Sequence, residues 1–235
     1  MKNFQRALFV SLKALTFLFL ITGCGSPQIK RSGFLKNYAD LKSIADGSGT
    51  LRYVKHSNVL SNYNKVILDP IEIWYDPSAV YQGINPIELN VLTDYFHDSI
   101  VKALESERDQ AGTKLNRSYP VVSQPGPNVL RVRIAITGLN PEKPKRSIGA
   151  HSSATYLQMK LNDSIARKIS GIETTMEAEL LDAQTNERLV AIVDRRASDT
   201  SAFPSAPPSW EFAKSALDYW ARKLRQAMDE AHEKR

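Results

Sequence analysis

The sequence predicts an α+β domain in which an antiparallel sheet of about four strands carries two long helices packed on one face. Three observations lead there. Residues 129–137, VLRVRIAIT, alternate Leu130, Val132, Ile134 and Ile136 with Arg131, Arg133, Ala135 and Thr137, the two-residue period of a half-buried strand. The stretch 172–181 repeats that alternation, and across a short polar turn 188–194, RLVAIVD, makes a second strand pair with it. Two other segments, beginning near residues 86 and 210, carry apolar residues at three- and four-residue steps, with no repeating strand–helix–strand units.

Taken in chain order, the first element is a leader. Lys2, Arg6 and Lys13 supply positive charge, residues 14–22 are apolar, and Gly23 is the small residue a signal peptidase requires. The apolar run is less than half the length of about twenty residues that a stable membrane span needs, so residues 1–23 read as an export signal. Cys24 follows at once and is the single cysteine of the chain, which excludes an intrachain disulfide. Leu20-Ile21-Thr22-Gly23-Cys24 resembles the bacterial lipobox, whose cysteine is acylated and becomes the new amino terminus. The alternative is an ordinary secretory signal in which Cys24 is only a small apolar residue. Acylation is the better account, because each buried methylene of an acyl chain contributes about 0.8 kcal/mol and two chains give stable anchoring. By similarity to enterobacterial sorting, Gly25 in place of aspartate implies passage to the outer membrane.

Residues 24–64 read as a lipidated terminus, a polar tether and a lead-in. Within it Phe34, Leu35, Tyr38 and Leu41 are spaced to lay one apolar stripe on the domain. The domain itself is placed at 65–235. It opens on KVILDPIEIWYD at 65–76, a strand rich in β-branched and aromatic residues, which Pro70 confines to an edge or breaks with a bulge. Asn85-Pro86 starts the first helix, whose stripe of Leu89, Leu92, Phe96, Ile100 and Ala103 or Leu104 runs to about residue 107. Residues 153–169 fit a strand or a helix equally. The polar residues 182–187 form a hairpin turn in which Asn186 takes a left-handed conformation. Ser209 caps the last helix, with its stripe of Ala213, Leu217, Trp220, Leu224 and Met228.

Composition removes several function classes. Removing the leader takes three basic and no acidic residues, so the formal charge falls from +6 to +3, and no basic cluster remains that would track a nucleic acid. The run PEKPKRS at 141–147 reads as a solvated loop. No nucleophile elbow, phosphate loop, dinucleotide fingerprint or zinc-protease motif occurs. Asp94, His97 and Asp98 are spaced to sit near one another on the first helix, but Asp94 and Asp98 lie opposite its buried stripe, so the three read as a solvated face, not a metal site. Glu173, Glu177 and Glu179 read as the polar face of a strand. With Arg131 and Arg133 they form a candidate interaction face turned to solvent or a partner. Trp74 and Trp220 read as core anchors.

SGFLKNYADLK at 32–42, YNKVILDPIEIW at 63–74, LRVRIAITGLNP at 130–141, EAELLDAQTNERLVAIVDRR at 177–196 and WARKLRQAMD at 220–229 together resemble an uncharacterised family of bacterial, mainly proteobacterial, lipoproteins filed as a domain of unknown function. The resemblance implies location and architecture and supplies no reaction. The expectation is therefore a non-catalytic, lipid-anchored envelope protein without cofactor or metal, facing the periplasm from the outer membrane. It would bind an unknown envelope partner and no nucleic acid. The alternative is a binding module for a small molecule, a lipid or a cell-wall fragment.

Overall fold

The three predicted strands and the helical stripes on two segments do produce an α+β architecture, but the sheet is mixed. The computed structural model describes residues 31–45, 49–75, 86–107, 114, 117–139, 174–196 and 210–233. In chain order these form β1 (Lys42–Ser43), β2 (Leu51–Val54), β3 (Lys65–Leu68), β4 (Glu72–Tyr75), helix α1 (Pro86–Glu105), β5 (Val129–Leu139), β6 (Thr174–Asp182), β7 (Arg188–Arg196) and helix α2 (Trp210–Glu233). The sheet order is β1-β2-β7-β6-β5-β3, with β4 continuing along β5 beyond β3.

The predicted four-stranded antiparallel sheet is corrected on both counts: among the described residues it has seven strands, and β3 and β4 run parallel to β5. The cause lies in the connection. Parallel neighbours cannot be joined by a tight turn and need a long crossover, and α1 lies in the connection from β4 to β5 that provides it. Pro70 acts as expected, since the predicted strand 65–76 is an edge strand split in two, each half pairing with a different part of β5. The Asp69 N–H still reaches the Val132 carbonyl at 3.0 Å across the break. Beyond β3, Val66 N–H donates to the Pro120 carbonyl and its own carbonyl accepts from Val122 N–H. The segment read as lead-in also joins the sheet, because β2 pairs antiparallel with β7 and β1 with β2.

The β6–β7 hairpin closes as its residues dictate. Asn186 has φ 57°, and the Asp182 carboxylate accepts from the backbone N–H groups of Gln184 and Thr185 and from the Thr185 hydroxyl. The Thr185 backbone bond foremost, opposed by burial, holds the Asp182 carboxyl below its usual range.

Both helices cover one face, as predicted. Leu92, Phe96, Ile100 and Leu104 of α1 and Leu217, Trp220, Ala221 and Met228 of α2 are buried against Leu130, Val132, Ile134 and Ile136 of β5 and their neighbours on β6. Set within the α2 stripe is a residue the pattern does not announce. Arg225 is buried, and its Nη1 donates to the carbonyls of Ala103, Leu104 and Ser106 while Nη2 donates to that of Arg117. The last carbonyls of α1 have no intrahelical donor, so this guanidinium satisfies them and complements the negative end of the helix. Its own charge is met by Asp229 at 2.7 Å, which also accepts from the Tyr119 hydroxyl at 2.8 Å. Burial, then the Asp229 bond, pushes the Tyr119 phenol far up.

Trp220 is 3% exposed, stacks at 6.0 Å on Phe96, and donates its indole N–H to Asp194 Oδ2 at 2.7 Å. Replacing it with alanine should lower unfolding free energy by about 3–5 kcal/mol in denaturant titration. A loss below about 1 kcal/mol would show that the helix layer does not depend on this side chain.

Candidate functional site

The face of the sheet turned away from the helices carries the odd-numbered residues of β5 and β6, and there the sequence-predicted interaction residues lie. Arg131 and Arg133 point to this side with Glu177 and Glu179, across the pairs Arg133–Glu179 and Ala135–Glu177. Glu173 lies outside the described residues, as do Gly23, Cys24 and Gly25. The expectation that the glutamates face solvent is corrected, because Glu177 is 0% and Glu179 3% exposed.

What covers them is the stripe the sequence placed at residues 34–41. Phe34 and Leu35 are buried against Ala135, Ala191 and Val193, with Tyr38, Leu41, Tyr53 and Trp74 packed around them. Full burial of each of the first two contributes about 1.5–3 kcal/mol. Residues 31–41 therefore act as a strap across the sheet. Gly33, at φ 98°, turns the chain into it in a conformation that suits glycine.

Polar ties fix the strap in register. Glu177 accepts from the Tyr38 hydroxyl at 2.5 Å, from Ser32 N–H at 3.2 Å and from the Thr137 hydroxyl at 3.5 Å. The same Tyr38 oxygen accepts from the N–H groups of Gly33 and Leu35. Burial first, and the Glu177 bond second, raise the Tyr38 phenol above its ordinary value. Arg188 donates to the Asn37 carbonyl at 2.7 Å and to Asp40 at 2.9 Å, binding the strap to β7.

The remaining charges pair with one another. Arg131 is held by Asp69 through Nε and Nη2, and Arg133 bonds Glu179 at 2.9 Å, lies 3.5 Å from Glu72, and stacks 4.9 Å from the Phe34 ring. Phe34 in turn meets Trp74 edge-on at 6.1 Å. Every one of these carboxylates already serves a structural donor. On α1, His97 contacts Asp98 at 3.4 Å with both side chains exposed, and no group of three or more metal-ligating side chains converges among the described residues.

The helix face holds a second feature that periodicity could not reveal. Among the described residues an apolar cleft of about 570 Å³ opens between the helices and the sheet, lined from β5 through β6 and β7 to β2. Ile134, Met176, Ala178 and Ile192 floor it, and Trp220, Leu224 and Ala227 wall it. At one end the buried Asp194 accepts from the Thr50 hydroxyl at 2.7 Å and from Trp220. The Asp194 side chain thus lies on the helix side of β7.

Residues 30–224 match the family described as protein of unknown function, DUF3313. The chain is 26% identical over 215 residues to the uncharacterized lipoprotein YdcL of Escherichia coli, in strain K12 and in O157:H7, covering 89% of this chain and 91% of the relative. Among solved structures, a PelC dodecamer from Paraburkholderia phytofirmans aligns with 76% of this chain and 95% of its own at 9% identity and a TM-score of 0.35. Protein XCC0632 from Xanthomonas campestris aligns with 70% and 83% at 14% identity and the same TM-score.

Tyr38→Phe removes the hydroxyl shared by the strap and Glu177 and should cost about 1–3 kcal/mol at neutral pH. Because the folded phenol is raised, its contribution is full below the ordinary value of about 10 and disappears as pH rises through the folded value. Denaturant titrations should therefore show the gap between the wild type and Tyr38→Phe closing above about pH 10. A gap that is constant with pH would remove Tyr38 from the strap's support.

Proposed function

We propose, from the premise that the chain belongs to the DUF3313 family of proteins of unknown function, that it is a non-catalytic lipoprotein of the bacterial envelope, carrying its lipid on Cys24. The lipobox-like LITGC, the short apolar leader and the relative named a lipoprotein all support the anchor. Among the described residues no helix is long and apolar enough to cross a membrane, so the anchor falls to the N-terminal lipid. With Gly25 at the second mature position, the reading places it in the outer membrane, facing the periplasm.

The observation that carries the reading furthest is how soon the chain docks after the cysteine. Seven residue steps separate Cys24 from Arg31, where the strap begins, and a chain of that length reaches at most about 25 Å. A lipid on Cys24 would hold the strap-bearing face near the bilayer and turn the helix-bearing face toward the compartment. In this orientation the protein serves as an accessory factor that holds an envelope partner close to the membrane. Structural pairing of the sheet-face carboxylates supports a non-catalytic role.

A second reading is favoured by the apolar cleft: the domain is a binding module for a small or lipid-like molecule, presented at a fixed distance from the membrane.

Cys24→Ala should abolish incorporation of a fatty-acid probe in growing cells and leave unacylated precursor. Labelling equal to the wild type would remove the anchor from the proposal. In-cell crosslinking from the helix face should recover one defined partner under the first reading, and recovery of none across growth conditions would leave the second.

A further inference from the structure

The cleft has a direction, and we propose that it takes a single-chain amphiphile, with the apolar chain lying along α2 and an anionic head at the Arg52 and Lys223 end. This inference rests on the second reading above, that the cleft holds a ligand, and names its chemistry.

The lining residues of α2 extend from Tyr219 to Ala231, about 18 Å of helix at 1.5 Å per residue. The cleft is thus elongated, and its volume of about 570 Å³ lies within the range of sites for small organic ligands. Its floor and inner wall present side chains without hydrogen-bonding groups over most of that length, so a polar molecule would lose water there and gain no partner. Val54, one of two large hydrophobic side chains exposed among the described residues, lies at the mouth.

Charge fixes the polarity. Arg52 sits opposite Ile192 in the β2–β7 register, two residues from Asp194, and Lys223 lies one turn from Trp220, the partner of Asp194. Both cations therefore gather at the Asp194 end. Arg52 is exposed and has no hydrogen-bond or ion-pair partner among the described residues. Lys223 Nζ lies over the Tyr219 ring at 5.6 Å and donates to Gln226 Oε1 at 3.1 Å. Gln226 in turn donates to Glu230 at 2.7 Å, so the acid on this rim stands two turns farther along the helix and is engaged by Gln226. Asp194 itself is buried and turned toward Thr50 and Trp220. An anionic head meets two cations at one end, whereas a cationic head at the other end would meet Glu230, already engaged by Gln226.

The test uses the full chain in isolated membranes without detergent, photolabelled with a diazirine fatty acid and analysed by peptide mapping. Adducts should concentrate on 174–192 and 219–231, and Ala227→Trp, which fills the cleft, should reduce them at least tenfold. If that variant does not accumulate folded, Ile192→Trp fills the same space from the sheet. Labelling spread over the surface, or unaffected by the filling substitution, overturns the cleft as a binding site and with it the second reading. Arg52→Glu with Lys223→Glu should lower labelling by the carboxylate probe several-fold and leave a neutral diazirine alcohol unchanged. Equal effects on both probes would overturn the anionic head while keeping the cleft. Lauric acid and dodecyl phosphate as competitors tell a carboxylate source from a phosphate source, and competition by neither rejects the assignment.

Discussion

A carboxylate buried at the centre of a sheet has to be met by donors, and in this protein most of them come from the other end of the sequence. Glu177 has no ion-pair partner among the described residues; Tyr38, Ser32 and Thr137 provide its hydrogen bonds. An uncompensated buried charge is among the most destabilising features a fold can carry. The sheet face is therefore complete only when residues 31–41 lie across it. Phe34 and Leu35 exclude water from the same place, which strengthens the bonds they surround. The strap is consequently part of the domain and not its approach, and the segment that would lead to a lipid is tied to β6 and β7.

The opposite face is assembled by a different device. Arg225 collects carbonyls from the end of α1 and from the segment that follows it, while Asp229 balances its charge and receives Tyr119. These contacts join the two helices at the β3–β5 side of the sheet. At the other side, toward β2, no such clamp operates among the described residues, and there the cleft opens.

Sequence periodicity made much of this legible. The strands β5, β6 and β7, both helical stripes, the left-handed Asn186 and the split at Pro70 follow from residues acting over short distances. Even the strap was visible, because Phe34, Leu35, Tyr38 and Leu41 share a spacing. What alternation does not contain is the identity of the layer that covers a face. Glu177 and Glu179 alternate with apolar residues as a solvated strand face would, yet the cover arrives from more than a hundred residues away. The parallel pairing of β3 and β4 was hidden for a related reason, since direction is set by the crossover and not by the strand. Arg225 was hidden because a buried cation at a helix C-terminus has no signature apart from the carbonyls it meets.

The strap and the cleft lie on opposite faces of the same strands. Tension from a lipid on Cys24 would enter at Arg31 and pass through Tyr38, Asn37 and Asp40 into β6 and β7. The same two strands floor the cleft with Met176, Ala178 and Ile192 on their other side. Successive side chains of a strand point to opposite faces, so the ties and the floor alternate residue by residue: Met176 below, Glu177 above, Ala178 below, Glu179 above. A close-packed sheet transmits displacement with little loss. The strap ties and the cleft floor are therefore carried by the same two strands, whereas the Arg225 clamp holds the helix layer to the end of α1.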